Sequence, residues 1–154
     1  MHRKRNLLMQ VGGHIELDET PWQAIAHELR EECGYTLDDL RVLQPDAEPI
    51  NVDNVIMHPM PVFTCTYKQA EEHYHSDLSW AFVTDHKPKA AVDAGESDDL
   101  RWLTLAELRE HASQGSAAKD VAKMYELVVN RYVKDWHQIP ANRYSVAKPQ
   151  AMSM

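Results

Sequence analysis

The stretch that decides the fold is GHIELDETPWQAIAHELREECGY, residues 13–35. Thr20 is placed as an N-cap, Pro21 suits the first helical position, and Gln23 stands where a capping box with Thr20 needs it. Gly34, directly after Cys33, is placed to close the helix in a left-handed cap. Between these signals Trp22, Ile25, Leu29 and Cys33 recur at helical spacing as one apolar stripe. The spacing predicts a helix from Pro21 to Cys33 with one buried side.

With that stripe turned to a core, Glu28, Glu31 and Glu32 share an arc of roughly 100° beside it. Like charges at i, i+3 and i, i+4 repel one another, so the arc is unfavourable unless a cation sits among the carboxylates. Hard divalent ions that prefer oxygen ligands, magnesium above all, suit such a set. Glutamate-rich helix faces are also common as plain solvated surface, and the arc by itself does not decide between the two.

The flanking residues do. Taken whole, the stretch resembles the Nudix box: a glycine, five residues, a glutamate, seven residues, then Arg-Glu-hydrophobic-x-Glu-Glu-x-Gly-hydrophobic. All but one of the defined positions match at the correct spacing, through Gly13, Glu19, Glu28, Leu29, Glu31, Glu32, Gly34 and Tyr35. Gly95–Leu103 and the following Thr104–Leu108 look like the family's late loop, strand and helix. The resemblance implies an α/β fold, a Nudix-type α/β/α sandwich with a mixed sheet. It implies metal binding by Glu28, Glu31 and Glu32 with a carbonyl of Gly12 or Gly13, and an organising role for Glu19. The general base would be Glu28, Glu32 or Glu96. The implied cofactor is Mg2+, with Mn2+ as its substitute, and the implied reaction is hydrolysis of a pyrophosphate bond. Nucleoside triphosphates, ADP-ribose and nucleotide sugars all remain open as substrates, because substrate choice lies outside the box. The substrate-binding residues are unknown from the sequence.

Two departures qualify the match. His27 stands where the motif has arginine, and a histidine is shorter and only partly charged near neutral pH. Arg30 is near in sequence but lies about 60° further round the helix, away from the carboxylates. Secondly, only residues 1–12 precede Gly13, so the fold is expected to be N-terminally shortened, lacking strands that family members carry before the box. These departures support an alternative reading, a Nudix-fold module that binds nucleotide or metal with little or no turnover.

Outward from the box, Leu7–Val11, Leu40–Leu43, Val62–Tyr67, Leu78–Thr84 and Leu100–Leu103 read as strands. The segments Gln44–Pro61 and Asp85–Ser97 read as loops, and His73 and His75 as flanks of a turn rather than a zinc site. Thr104 and Glu107 form a second capping box opening a short helix through His111. Residues 117–137 are predicted as one long amphipathic helix with Ala118, Val121, Tyr125, Val128, Tyr132 and Trp136 on one side. The helix packs on its own domain or serves as a homodimer surface. Residues 1–137 form the expected domain and 138–154 a loose tail. Trp80, Phe82 and Trp102 are strand aromatics, suited to the core or to stacking on a base.

Composition sets the outer limits. The chain has 154 residues, 44% hydrophobic and 26% charged, enough for one domain with its own core. Its net charge of -8 argues against long nucleic acid as partner and leaves a small nucleotide-type substrate. No apolar run approaches the ~20 residues a bilayer needs, and the two cysteines, Cys33 and Cys65, are expected as reduced thiols. The setting expected is cytoplasmic, with no membrane partner.

Overall fold

The computed structural model describes residues 7–92, 94 and 99–147. The helix predicted from the opening stretch is α1, Pro21–Cys33. The Thr20 hydroxyl accepts the Gln23 amide and the Gln23 side chain accepts the Thr20 amide, so the capping box is complete. Gly34 takes φ 69°, and its amide closes onto the carbonyls of Leu29 and Arg30. A Cβ there would lie 2.2 Å from the Ala90 carbonyl oxygen. Glycine therefore serves twice, for the left-handed cap and for the close passage of the loop.

Among the described residues five strands follow, in two antiparallel sheets. The first sheet has the order β4-β1-β5, built from Arg41–Gln44 (β1), Phe82–Val83 (β4) and His137–Pro140 (β5). The second is a hairpin of Phe63–Ala70 (β2) and His73–Ser79 (β3), with an irregularity in register between Lys68 and Ala70. Leu105–Ser113 is α2, opened by the Thr104–Glu107 capping box as the sequence predicts. Lys119–Leu127 (α3), a π turn at Val128–Tyr132 and Val133–Asp135 (α4) then follow one another without a break. Helices combined with small antiparallel sheets place the chain in the α/β class.

Trp22 is the centre of the main core, with no exposed surface. Trp80, Phe82 and Tyr144 surround its ring at centroid distances of 5.6, 5.9 and 5.9 Å. Its indole N–H donates to the Tyr144 carbonyl at 3.3 Å. Leu29, Cys33, Tyr35, Leu40, Val42 and Ile139 complete this core, with Ile25 against its edge. Both cysteines are unpaired thiols; burial pushes that of Cys33 up to about 11. A second cluster of Leu8, Leu108, Ala112, Ala117 and Ala122 joins α2, α3 and the N-terminal segment.

Several expected elements differ from what forms. Leu7–Val11 is not a strand; Leu8 makes one parallel bridge with Ala117 and otherwise contributes packing. The predicted strand Leu78–Thr84 divides: β3 starts earlier, at His73, and ends at Ser79, and after Trp80 and Ala81 the chain enters β4 in the other sheet. His73 follows the Glu71–Glu72 turn as the first residue of β3, and His75 lies within that strand. Leu100–Leu103 runs without a ladder partner among the described residues. The long helix is interrupted by the π turn, whose last residue, Tyr132, meets Phe63 of β2 at 5.8 Å. The segment expected as a loose tail enters the core: β5 pairs along all of β1, and Ile139, Ala141 and Tyr144 are buried. No apolar periodicity announces it, because a short edge strand followed by a turn buries only isolated positions.

Tyr144→Ala is expected to lower stability by about 3 kcal/mol in urea denaturation, the loss of a buried aromatic. A change below about 0.5 kcal/mol, the range of an exposed site, would show that this segment is loose.

Candidate active site

The capping signals fix where α1 begins, and Trp22 fixes its rotation about its axis. Together they aim the flank carrying Glu28, Glu31 and Glu32 at the Gly12–Gly13 turn. The Gly12 amide donates to Oε2 of Glu32 at 3.0 Å. The Glu28 carboxylate lies so close to Gly13 that a Cβ there would sit 1.7 Å from Oε1 and 2.5 Å from Cδ. Only a glycine leaves room for that approach. Four of the residues expected at a metal centre, Gly12, Gly13, Glu28 and Glu32, are therefore brought together.

Glu31 belongs to a second group. Its Oε1 lies 2.7 Å from Nε2 of His27 and 3.1 Å from the Arg30 guanidinium. Nδ1 of the same histidine lies 3.4 Å from Oε1 of Glu19, whose other oxygen accepts the Glu16 amide at 3.4 Å. The ring stands between two carboxylates, one on the loop and one a helical turn away. The expectation that Arg30 points away from the carboxylates is corrected. Its Cα does lie further round, but the long side chain bends back to Glu31.

Glu31 first, through its hydrogen bond, and then the charges of Glu31, Glu19 and Glu28 raise the His27 pKa above 6.5 against a smaller desolvation effect. The imidazolium is the form the fold favours. Its contribution to stability is present in full below pH 6.5 and fades as pH rises through the higher folded value.

The donor set suits a hard cation. Glu28, Glu31 and Glu32 offer carboxylate oxygens, and the cradle at Gly13 exists only because no Cβ fills it. Among the described residues no three such side chains converge on one point, and Glu31 is engaged by His27 and Arg30. Glu96 lies outside the described residues.

Other elements frame the site. The Tyr35 hydroxyl donates to the His86 carbonyl at 2.7 Å, and Ala90 N–H donates to the Gly34 carbonyl, so the segment after β4 is docked against the end of α1. The Lys89 ammonium pairs with Asp39; that hydrogen bond, then those from Thr36, pull the Asp39 carboxyl down to about 2. Of the three aromatics considered for base stacking, Trp80 and Phe82 pack on Trp22 and belong to the core. Trp102 is 66% exposed and meets Tyr35 edge-on at 6.5 Å. The sequence reading missed the contact of His14 with His75, at a centroid distance of 5.5 Å. The alternation of His73 and His75 was its only signal.

A glycine turn clasped by glutamates of a capped helix makes a carboxylate site whose oxygen donors suit a hard cation. The NUDIX domain model matches residues 3–128, and the chain belongs to the Nudix family. The crystal structure of a hydrolase of the NUDIX family from Clostridium perfringens is similar, with TM-score 0.60 and 22% sequence identity over 80% of each chain. At that identity the likeness is one of fold. A comparison with curated proteins finds no match.

In metal-free protein, proton NMR is expected to show His27 titrating above 6.5, and Glu31→Gln is expected to move it down. An unchanged titration in that variant would remove Glu31 as the cause.

Proposed function

We propose that the chain is a metal-dependent Nudix hydrolase that cleaves a pyrophosphate bond in a nucleoside diphosphate linked to another moiety. Nucleoside triphosphates, ADP-ribose and nucleotide sugars are the substrate classes. The observation that carries this reading is the approach of Glu28 and Glu32 to the Gly12–Gly13 turn. Family members generally use divalent metal ions. Here Glu28, Glu32 and, on release from His27 and Arg30, Glu31 would hold Mg2+ or Mn2+, with a Gly12 or Gly13 carbonyl. When bound there, such an ion would lower the pKa of water and neutralise charge on the phosphoryl oxygens.

The chain's own residues do the rest. A carboxylate of this set, Glu28, Glu32 or Glu96, takes a proton from the attacking water. The water oxygen bonds to phosphorus, the bridging P–O bond breaks, and the departing phosphate carries its electron pair away. His27 joins Glu19 to Glu31, where the motif's arginine would bring a charged fork. It thereby keeps the loop and the helix in register with a single ring. The net charge of -8 suits a small substrate carried in with its cations better than long nucleic acid. The described residues include no helix long and apolar enough to cross a membrane.

The direct test is product release from nucleoside triphosphates, ADP-ribose, nucleotide sugars and dinucleoside polyphosphates, with and without Mg2+. Turnover is expected to need the ion and to fall by about a hundredfold or more in Glu32→Gln. A flat panel from folded protein would leave a nucleotide- or metal-binding module, the reading that the engagement of Glu31 by two cationic side chains favours. Gly13→Ala displaces only the tip of Glu28, so folding is expected to survive while turnover falls by up to about a hundredfold. Wild-type turnover in Gly13→Ala would remove the Glu28 approach from the mechanism.

A further inference from the structure

We propose that His73 and His75 of β3, with His14 from the loop after Gly13, form a second cation site, selective for a borderline divalent ion such as Zn2+ or Ni2+. Residues i and i+2 of a strand share a face, and here the two imidazoles converge until their Nε2 atoms are 2.9 Å apart. Two imidazole nitrogens bound to one ion at about 2.0–2.1 Å each stand about 2.9 Å apart in the square-planar geometry of Ni2+ and about 3.4 Å apart in the tetrahedral geometry of Zn2+, which a small opening of the pair reaches. The ring centroids are 4.8 Å apart with the planes at 64°. That is closer than a collinear head-to-head pair allows, so the rings meet obliquely, as chelation by both lone pairs requires. In the metal-free protein one ring donates a proton to the other, and a cation takes the place of that shared proton.

The surroundings hold the pair ready. Tyr67, the cross-strand partner of His75, stacks on its ring at 5.4 Å and 26°. His14 stands edge-on to the same ring at 5.5 Å. Among the described residues no three ligands already surround one point. The pair of His73 and His75 would therefore take the ion first, and His14 would join it by rotating its side chain. Imidazole donors select zinc, nickel or copper over magnesium, whereas the glutamates of α1 have the opposite preference. The two sites are thus chemically distinct. An ion here clips the β2–β3 hairpin to the loop whose preceding residues, Gly12 and Gly13, meet Glu28 and Glu32. This site does not depend on the hydrolase reading.

The experiment is calorimetric titration of the chelator-treated full chain with ZnCl2 in millimolar Mg2+, which occupies the carboxylates. One equivalent is expected to bind and to raise Tm. His73→Ala and His75→Ala are each expected to weaken binding by about tenfold or more, His14→Ala is expected to weaken it as well, and Glu32→Gln is expected to leave it unchanged. Circular dichroism confirms that each variant is folded. Wild-type affinity in the His73→Ala/His75→Ala double variant, or loss of binding in Glu32→Gln, would overturn the site by assigning zinc to the thiols or the glutamates. Wild-type affinity in His14→Ala would remove the third ligand.

Discussion

The burial of Trp22 is the constraint on which the rest depends. A helix capped at Thr20 and Gly34 has its length fixed but is still free to rotate about its axis. The indole removes that freedom, because it is enclosed by Trp80, Phe82 and Tyr144 and hydrogen-bonded to the Tyr144 carbonyl. Complete burial of so large a side chain is among the strongest single contributions a small core can have. With the indole fixed, Glu28 and Glu32 lie against the glycine turn, and each side of that contact limits the other. A Cβ at Gly13 would push the Glu28 carboxylate aside, and a rotated helix would carry the carboxylates away.

The three glutamates that share an arc of α1 do not share a role in the metal-free protein. Close like charges must each find compensation. Glu32 takes the Gly12 amide, while Glu31 takes the ring of His27 and the Arg30 guanidinium. The replacement of the motif's arginine by histidine therefore does not leave a gap. A shorter ring, with one nitrogen toward Glu19 and the other toward Glu31, links the same loop and helix through single contacts, where a guanidinium offers a fork. The link depends on protonation, which ties the organisation of this flank to pH in a way arginine would not.

The β2–β3 hairpin is a sheet of its own; Phe63 packs on Tyr132 of the π turn, and the Gln44 side chain at the end of β1 holds the Met60 backbone just ahead of β2. Tyr67 and His75 of the hairpin stack, and His75 meets His14, the residue after the Gly12–Gly13 turn that Glu28 and Glu32 approach. One loop thus meets two sets of donors with different affinities for cations.

The sequence alone determined α1 with both caps, the two capping boxes, the α/β class and the family, because these rest on local signals: fixed spacing, a proline, a glycine, a short polar side chain. It also marked Glu28, Glu31 and Glu32 as one flank, since helical geometry follows from residue number. Tertiary structure alone decided which of those glutamates reaches the glycine turn, and that His27 bridges Glu19 and Glu31. It alone brought Arg30 back to the carboxylates, sent Trp80 and Phe82 to the core while leaving Trp102 exposed, and drew the segment around β5 beneath Trp22. Each of these depends on contacts between residues far apart in the chain or on the reach of a flexible side chain. Neither leaves a period in the sequence, so only packing could select among the arrangements that the local signals allow.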